Sequence, residues 1–474
     1  MRKLTGLLIF LFLGTTYSQT VTLRDTMNQY DYIVITTPEL VQTFQQFKNH
    51  KETLFDFNVL VTDTTSIYTE FFEDSTKQDN IRSFISYAGT YWQQPRPVYF
   101  LIAGTTTMVP NFDNPQLGSS GEWRFFTDYY YTQSIYEPDT ITTDFYIGRV
   151  PCKNENELTK YLNKVIQYES NSTLHEWNNN LLFVCGDDTV FNFVETAQSL
   201  SAYLPTYIDK KIIADVDTSI FYGNKDSIAN YVNNSGCAVL WFEGWNKDSS
   251  LNREDYFGLN DLSLLLNYGK YFFSILMTQS AIVDTNTTIS NEMLYLENAG
   301  SIGSLVINGL TWWATYQIMQ RILAQNIFSL PDESIGKLLN LFDGSGGLFY
   351  EMKKSLNILG DPSLKLKYDA PTSIHETQTE LINGFELHQN YPNPFNPTTK
   401  IKYIVGDAYY ASQAHVLLRV YDVLGNEVVT LVNEQKPAGT YEVEFNASQL
   451  SSGVYFYKLQ AGNIIETKKM ILLR

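Results

Sequence analysis

The sequence predicts two kinds of structure in one chain: a mostly parallel α/β sheet flanked by helices in two halves, then a small β-sandwich. Three observations carry this reading. Between Tyr30 and Tyr368 short apolar runs alternate with amphipathic stretches, the order that covers a parallel sheet with helices on both faces. From Asp369 the texture changes to DAPTSIHETQTELIN, an aperiodic run of Pro, Thr and acidic residues that reads as a linker. Beyond it the period falls to two: Tyr441, Val443 and Phe445 alternate with Glu442 and Glu444, as on a strand with one packed and one solvated face.

In the first half, residues 30–37 (YDYIVITT), 57–63 (FNVLVTD) and 98–104 (VYFLIAG) read as buried strands, with helices over 40–51 and 80–92. In the second of these helices Ile81, Phe84, Ile85, Ala88 and Tyr91 recur at helical spacing, and Asp79 or Asn80 is placed to cap it. Residues 157–169, with Leu158, Leu162, Val165 and Ile166 on one face, read as the helix joining the halves. In the second half 181–187 (LLFVCGD), 237–244 (CAVLWFEG), 271–279 (YFFSILMTQ) and 301–309 (SIGSLVING) are strands. Helices around 194–204, 292–299 and 312–325 separate them. In the sandwich, 416–423, 440–445, 453–459 and 464–472 are strands, divided by turn signals such as Leu424-Gly425-Asn426. Ligands of such α/β sheets sit beyond the carboxyl ends of the strands, which puts any chemistry just after Asp63, Gly104, Gly244 or Gln279.

Composition narrows the function. The 474 residues carry 33 Lys+Arg against 51 Asp+Glu, a formal charge of −18, and are 44% hydrophobic. The apolar content excludes a largely disordered chain, and the acidic balance excludes a phosphate-tracking nucleic-acid binder. Residues 1–18 read as a signal peptide: Arg2 and Lys3, an apolar core from Leu7 to Leu13, then small residues. No later stretch approaches the ~18 apolar residues of a membrane span. Five His leave few sources of imidazole. Cys152, Cys185 and Cys237 are an odd set without metal-ligand spacing. No cofactor is predicted. Asp128, Asp144, Asp187 and Asp188 are the acids a structural calcium would use, although no EF-hand spacing is present. The DGSGGL run at 343–348 lacks the strand and the Lys-Ser/Thr of a phosphate cradle, and Trp312-Trp313 reads as core packing rather than a groove wall.

The tail carries the most specific motifs: LHQNYPNPFNPTTKIKY (387–403), VYDVLGNEV (420–428), LSSGVYFYKLQAG (450–462) and a closing KKMILLR. Together these resemble the type A sorting domain of type IX secretion. The resemblance implies an immunoglobulin-like sandwich over 385–474 that is read by the outer-membrane translocon, and hence a secreted or outer-membrane-surface protein exported through the periplasm. Pro392, Pro394 and Pro397 lack amide donors, which suits an extended edge segment.

The larger region resembles the gingipain-type cysteine peptidases, which have a caspase-like fold. The blocks that match are YDYIVITTPEL near Tyr30, TDYYY (127–131), TDFYIGRVPCKNENEL (143–158), KVIQYES (164–170), ISNEMLYLENAGSIGSLVINGLTWW (289–313) and LNILGDPSLKL (356–366). The resemblance divides the chain into a first α/β half at 19–175, a second at 176–368, a linker at 369–384 and the sorting domain. It also implies a Cys-His dyad, in which imidazole activates a thiol that attacks the scissile carbonyl. By position the His block falls on LWFEGWN (240–246): Gly244 keeps the first glycine, but Trp245 stands in the His place and Asn246 in that of the second glycine. The Cys block falls on FFSILMTQSAIVD (272–284), with Thr278 in the Cys place. His50, among Lys48 and Lys51, reads as part of a solvated helix face. His175 lies between the halves, and the other three His lie in the linker and tail. Cys185 is the remaining thiol candidate at a strand end.

These substitutions imply an inactive peptidase homologue that serves as a surface binding or structural module. Trp245, Glu243 and Thr278 would floor its cleft, with Gly244, Asn246 and Gln279 beside them, and the ligand would be a peptide or glycan. Two other readings stand beside it: a working cysteine endopeptidase with a relocated dyad, and a component of the type IX export or attachment machinery.

Overall fold

The structure is a computed structural model that describes residues 21–72, 76–114, 125–133, 145–187, 191–245, 249–252, 256–276, 287–307, 313–328, 333–342, 353–370, 386–405, 414–423, 425–436, 439–461 and 464–473. In the first half β1 (Tyr32–Thr36), β2 (Val59–Asp63) and β3 (Tyr99–Ala103) alternate with α1 (Gln45–Phe55), α2 (Thr64–Glu70) and α3 (Lys77–Tyr91). A small hairpin, β4 (Phe112–Asn114) and β5 (Phe125–Thr127), precedes β6 (Tyr146–Val150) and the connecting helix α4 (Glu155–Ser170). The second half holds β7 (Asn180–Cys185), α5 (Phe193–Ser201), β8 (Asp209–Ala214), α6 (Lys225–Asn230), β9 (Val239–Glu243) and β10 (Phe272–Leu276). It ends with α7 (Ile289–Tyr295), β11 (Ser301–Ile307), α8 (Trp313–Asn326) and β12 (Leu356–Leu359).

The two halves form one ten-stranded sheet in the order β2-β1-β3-β6-β12-β11-β10-β9-β7-β8. Pairing is parallel within each half. β12 runs against β11 and meets β6 through one pair, Leu359 opposite Arg149. Helices cover both faces, so β1, β9 and β10 are buried along their whole length, which is why they read as unbroken apolar runs.

The strand starts of both halves share an edge. Asp361, just past β12, accepts from Tyr32 Oη at the start of β1 (2.8 Å). Its amide donates to Tyr161 Oη, which donates in turn to the Ile302 carbonyl at the start of β11. The carboxyl ends of β1 and β11 therefore point to the other edge, where the site is expected.

The tail folds as β13 (Glu386–Leu387), β14 (Thr398–Val405), β15 (Ala414–Tyr421), β16 (Glu427–Lys436), β17 (Gly439–Asn446), β18 (Gly453–Ala461) and β19 (Ile464–Leu472). These make a three-stranded sheet, β13-β14-β17, and a four-stranded sheet, β16-β15-β18-β19. Val416, Leu418 and Val420 lie in a separate core with Tyr457, Met470 and Phe445. The Pro-rich segment touches the sandwich through isolated bridges, Tyr391 to Lys400 and Phe395 to Leu472.

Several local expectations need correction. The cap of α3 is Thr76, whose hydroxyl accepts from Asp79 N, not Asp79 or Asn80. The helix expected from residue 40 opens as a 3₁₀ segment, Pro38–Phe44, before α1. His50 is not on a solvated face. It bonds to Glu169 Oε2 at 2.9 Å with a mostly buried side chain, and Lys51 beside it is wholly buried. Among the described residues eight strands escaped the reading: β4, β5, β6, β8, β12, β13, β14 and β16. β6 contains Gly148, where a Cβ would fall 2.2 Å from the Gly360 carbonyl; close backbone approach selects that glycine, not a turn.

Candidate functional site

β9 ends on Glu243-Gly244-Trp245. Gly244 is required by contact, because a Cβ there would lie 2.5 Å from the Phe242 ring and 3.2 Å from Gly186 N. The carbonyl of Glu243 accepts from Gly186 N at 2.7 Å, which fastens the end of β9 to the turn after β7. Past the glycine, Trp245 is half-buried. Its ring meets Phe191 edge-on at 5.4 Å and Phe193 at 6.1 Å.

The Glu243 side chain turns inward and is fully buried. Its carboxyl group accepts from Gln320 Nε2, and Tyr316 Oη stands 3.5 Å away, both on α8. Burial lifts this carboxyl to about 8, with the Gln320 contact opposing the rise. Glu243 therefore holds a proton at neutral pH, where an exposed glutamate would be charged.

Cys185 ends β7 opposite Glu243. It is fully buried, with Sγ 3.7 Å from the Phe193 carbonyl. Burial first, and then Glu243, push the thiol well above its ordinary value. Burial likewise pushes Cys152 up to about 12 and raises Cys237. All three are free, buried thiols in surroundings that oppose the nucleophilic thiolate.

Among the described residues no histidine stands at the carboxyl edge. His50 lies in α1 against Glu169, His175 precedes β7, and His388 and His415 belong to the sandwich; His375 is outside the described residues. β10 is described to Leu276, so Thr278 and Gln279 lie outside the described residues, as do Asn246, Asp144, Asp188, Trp312 and 343–348. Asp128 is not a free acid, since it holds Arg149 through two contacts at 2.6 and 2.7 Å. No group of metal-ligating side chains is found among the described residues.

The edge carries Gly244 and Trp245, with Phe191 and Phe193 beside the indole, whereas Glu243, expected on the cleft floor, turns its carboxyl group inward to Tyr316 and Gln320 of α8 because that side of the strand faces the core. Tyr316 and Gln320 sit four apart on one helix and share a face. A polar pair at that spacing among Met319, Ile322 and Leu323 was the available signal.

Residues 25–367 match the family model for peptidase family C25, and residues 389–473 match that of a secretion system C-terminal sorting domain. The second match indicates export to the cell surface or secretion. No helix among the described residues is long and apolar enough to cross a membrane. Among solved structures, the complex of Porphyromonas gingivalis RgpB pro- and mature domains is 14% identical, with a TM-score of 0.58 over 94% of this chain and 100% of that one. The Arg-specific cysteine proteinase gingipain R is 13% identical, with a TM-score of 0.56 over 94% and 98%. A structure described as a protease is 14% identical, with a TM-score of 0.56 over 96% and 99%. At such identities the likeness is one of fold. A search of curated proteins finds no match.

Proposed function

The chain belongs to peptidase family C25, and from that premise we propose that it is an exported, non-cleaving homologue that uses the carboxyl edge of its sheet to hold a ligand. The observation that supports this reading is the seat of Trp245. Where the family places the imidazole base stands an indole, which has no basic nitrogen and can only donate a hydrogen bond. It rests on Phe191 and Phe193. The neighbouring thiol, Cys185, is buried and neutral, and Thr278 in the Cys place has a hydroxyl that needs a base to become a nucleophile.

What remains is a half-exposed aromatic with one N–H donor at the mouth of a parallel sheet. That combination suits stacking and hydrogen bonding to a peptide or a glycan. The sorting domain delivers this edge to the outer surface.

The test uses the purified mature chain with a diverse peptide library and a glycan array. The expected result is binding that Trp245→Ala weakens at least tenfold, about 1.4 kcal/mol, without cleavage of any peptide. Cleavage that disappears in Cys185→Ala or Thr278→Ala overturns the reading.

A further inference from the structure

The carboxyl ends of β8, β7 and β9 lie side by side, because Cys185 is the register partner of both Ala214 and Glu243. Just past these ends the three chains are sewn together. Asp215 N donates to the Cys185 carbonyl at 2.9 Å, and Gly186 N to that of Glu243. The side chain of Asn252 lies across this seam. Its Nδ2 donates to Asp215 Oδ2 at 2.9 Å, and a Cβ on Gly186 would fall 3.1 Å from its Oδ1.

Asn252 holds this place in a strained backbone. Its φ is +135° and it is buried; glycine takes such a conformation freely, a residue with a Cβ does not. Strain of this kind persists only where the surroundings hold it, and it gathers at ligand sites. The side chain explains why glycine does not stand here, since glycine would leave the Asp215 carboxylate without its Nδ2 donor. Asp215 itself is only partly buried, so its carboxylate is fixed where it still meets solvent.

An aromatic residue stands on either side. Ala214 pairs with Cys185 on one side and bridges on the other to Tyr222, which is 57% exposed. Past β9, on the far side of β7, comes the half-buried Trp245. Neighbouring strands about 4.8 Å apart put the ends of β8 and β9 about 10 Å from each other. A fixed acceptor between two accessible rings suits a sugar: the rings cover its apolar C–H face, and carboxylate oxygens accept from its hydroxyls. The charge on Asp215, in a chain of formal charge −18, disfavours anionic glycans.

We propose that this edge takes a neutral oligosaccharide, with Asp215 as a ligand-contacting acceptor and Asn252 as the residue that positions it. This narrows the ligand-binding reading above, on which it rests, to one chemical class.

The experiment is calorimetric titration of the purified chain with cello-, xylo-, manno- and chito-oligosaccharides, with oligogalacturonides and the peptide library as controls. The expected result is binding of a neutral oligosaccharide that Asp215→Ala weakens about tenfold, with Asn252→Gly and Asn252→Ala weakening it equally. Urea unfolding separates positioning from stability: glycine relieves the strained backbone and alanine does not, so Asn252→Gly unfolds at a higher urea concentration than Asn252→Ala while the two bind equally poorly. Affinity that follows this stability order overturns the role of Asn252, and affinity that survives Asp215→Ala overturns that of Asp215. Should both Asn252 variants fail to fold, Asp215→Ala alone decides. Oligogalacturonides bound as tightly as neutral sugars overturn the choice of class. Library peptides captured at Trp245, with no oligosaccharide bound, overturn it too and leave the ligand-binding reading standing, whereas binding of neither class removes both.

Discussion

The two edges of the ten-stranded sheet bury charge in opposite ways. At the amino edge Lys51 lies between Glu169 (2.5 Å) and Asp361 (2.6 Å), and Ser363 Oγ accepts from it at 3.0 Å. Burial alone would lower its ammonium, but the two carboxylates raise it above its ordinary value. Tyr32 and the Ser363 amide supply Asp361 with further donors, and His50 meets the second oxygen of Glu169. At the carboxyl edge Glu243 is equally buried, yet it faces an amide, a phenol and a thiol. Charge that is compensated in place locks three segments together: α1, the end of α4 and the turn after β12. A carboxyl group left without a cation instead stays open to titration, and it sits beside the residues assigned to ligand contact.

The sharpest way to break this contrast is Lys51→Met. It strips the cation from two buried carboxylates and is expected to cost about 5 kcal/mol, read as a lower midpoint in urea unfolding. Next comes the pH dependence of stability. The native Glu243 carboxyl titrates near 8 and the unfolded one near its ordinary 4.5, so over this interval the native state binds the extra proton. Its contribution is complete below the unfolded value and is lost as pH rises through the native one. Between these limits the loss is roughly 5 kcal/mol, on the order of 1.4 kcal/mol for each unit of pH, and Glu243→Gln is expected to flatten that part of the stability profile. A profile equally steep in the variant would erase the difference between the edges. The smallest effect is expected from His50→Ala. Glu169 keeps Lys51, so the change is about 1 kcal/mol in the same unfolding measurement.

Much of this was legible in the residues. Strands such as β1, β9 and β10 are buried from end to end and announced themselves as apolar runs, and the sandwich announced itself by alternation. Gly244 and Trp245 could be placed from the block around them. Pairings that depend on distant segments could not. Lys51 reads as a helix-surface lysine because its partners Glu169 and Asp361 are remote in the chain. Glu243 reads as a polar residue at a ligand edge, yet its side chain turns to α8, whose Tyr316 and Gln320 no local pattern connects to it. β8, with its charged start Asp209-Lys210-Lys211, is an edge strand whose outer end is solvated, so it lacks the apolar run that marked its neighbours.

β12 sits at the centre of the sheet although it is the last strand of the large body to occur in the chain. Before it arrives, the facing sides of β6 and β11 are rows of unsatisfied amides and carbonyls, and closing them requires Leu359 to reach back to Arg149. Such far-reaching pairings form late and slowly. The middle of the sheet therefore stays open until the end of the large body is available, and β12 is the keystone that closes it.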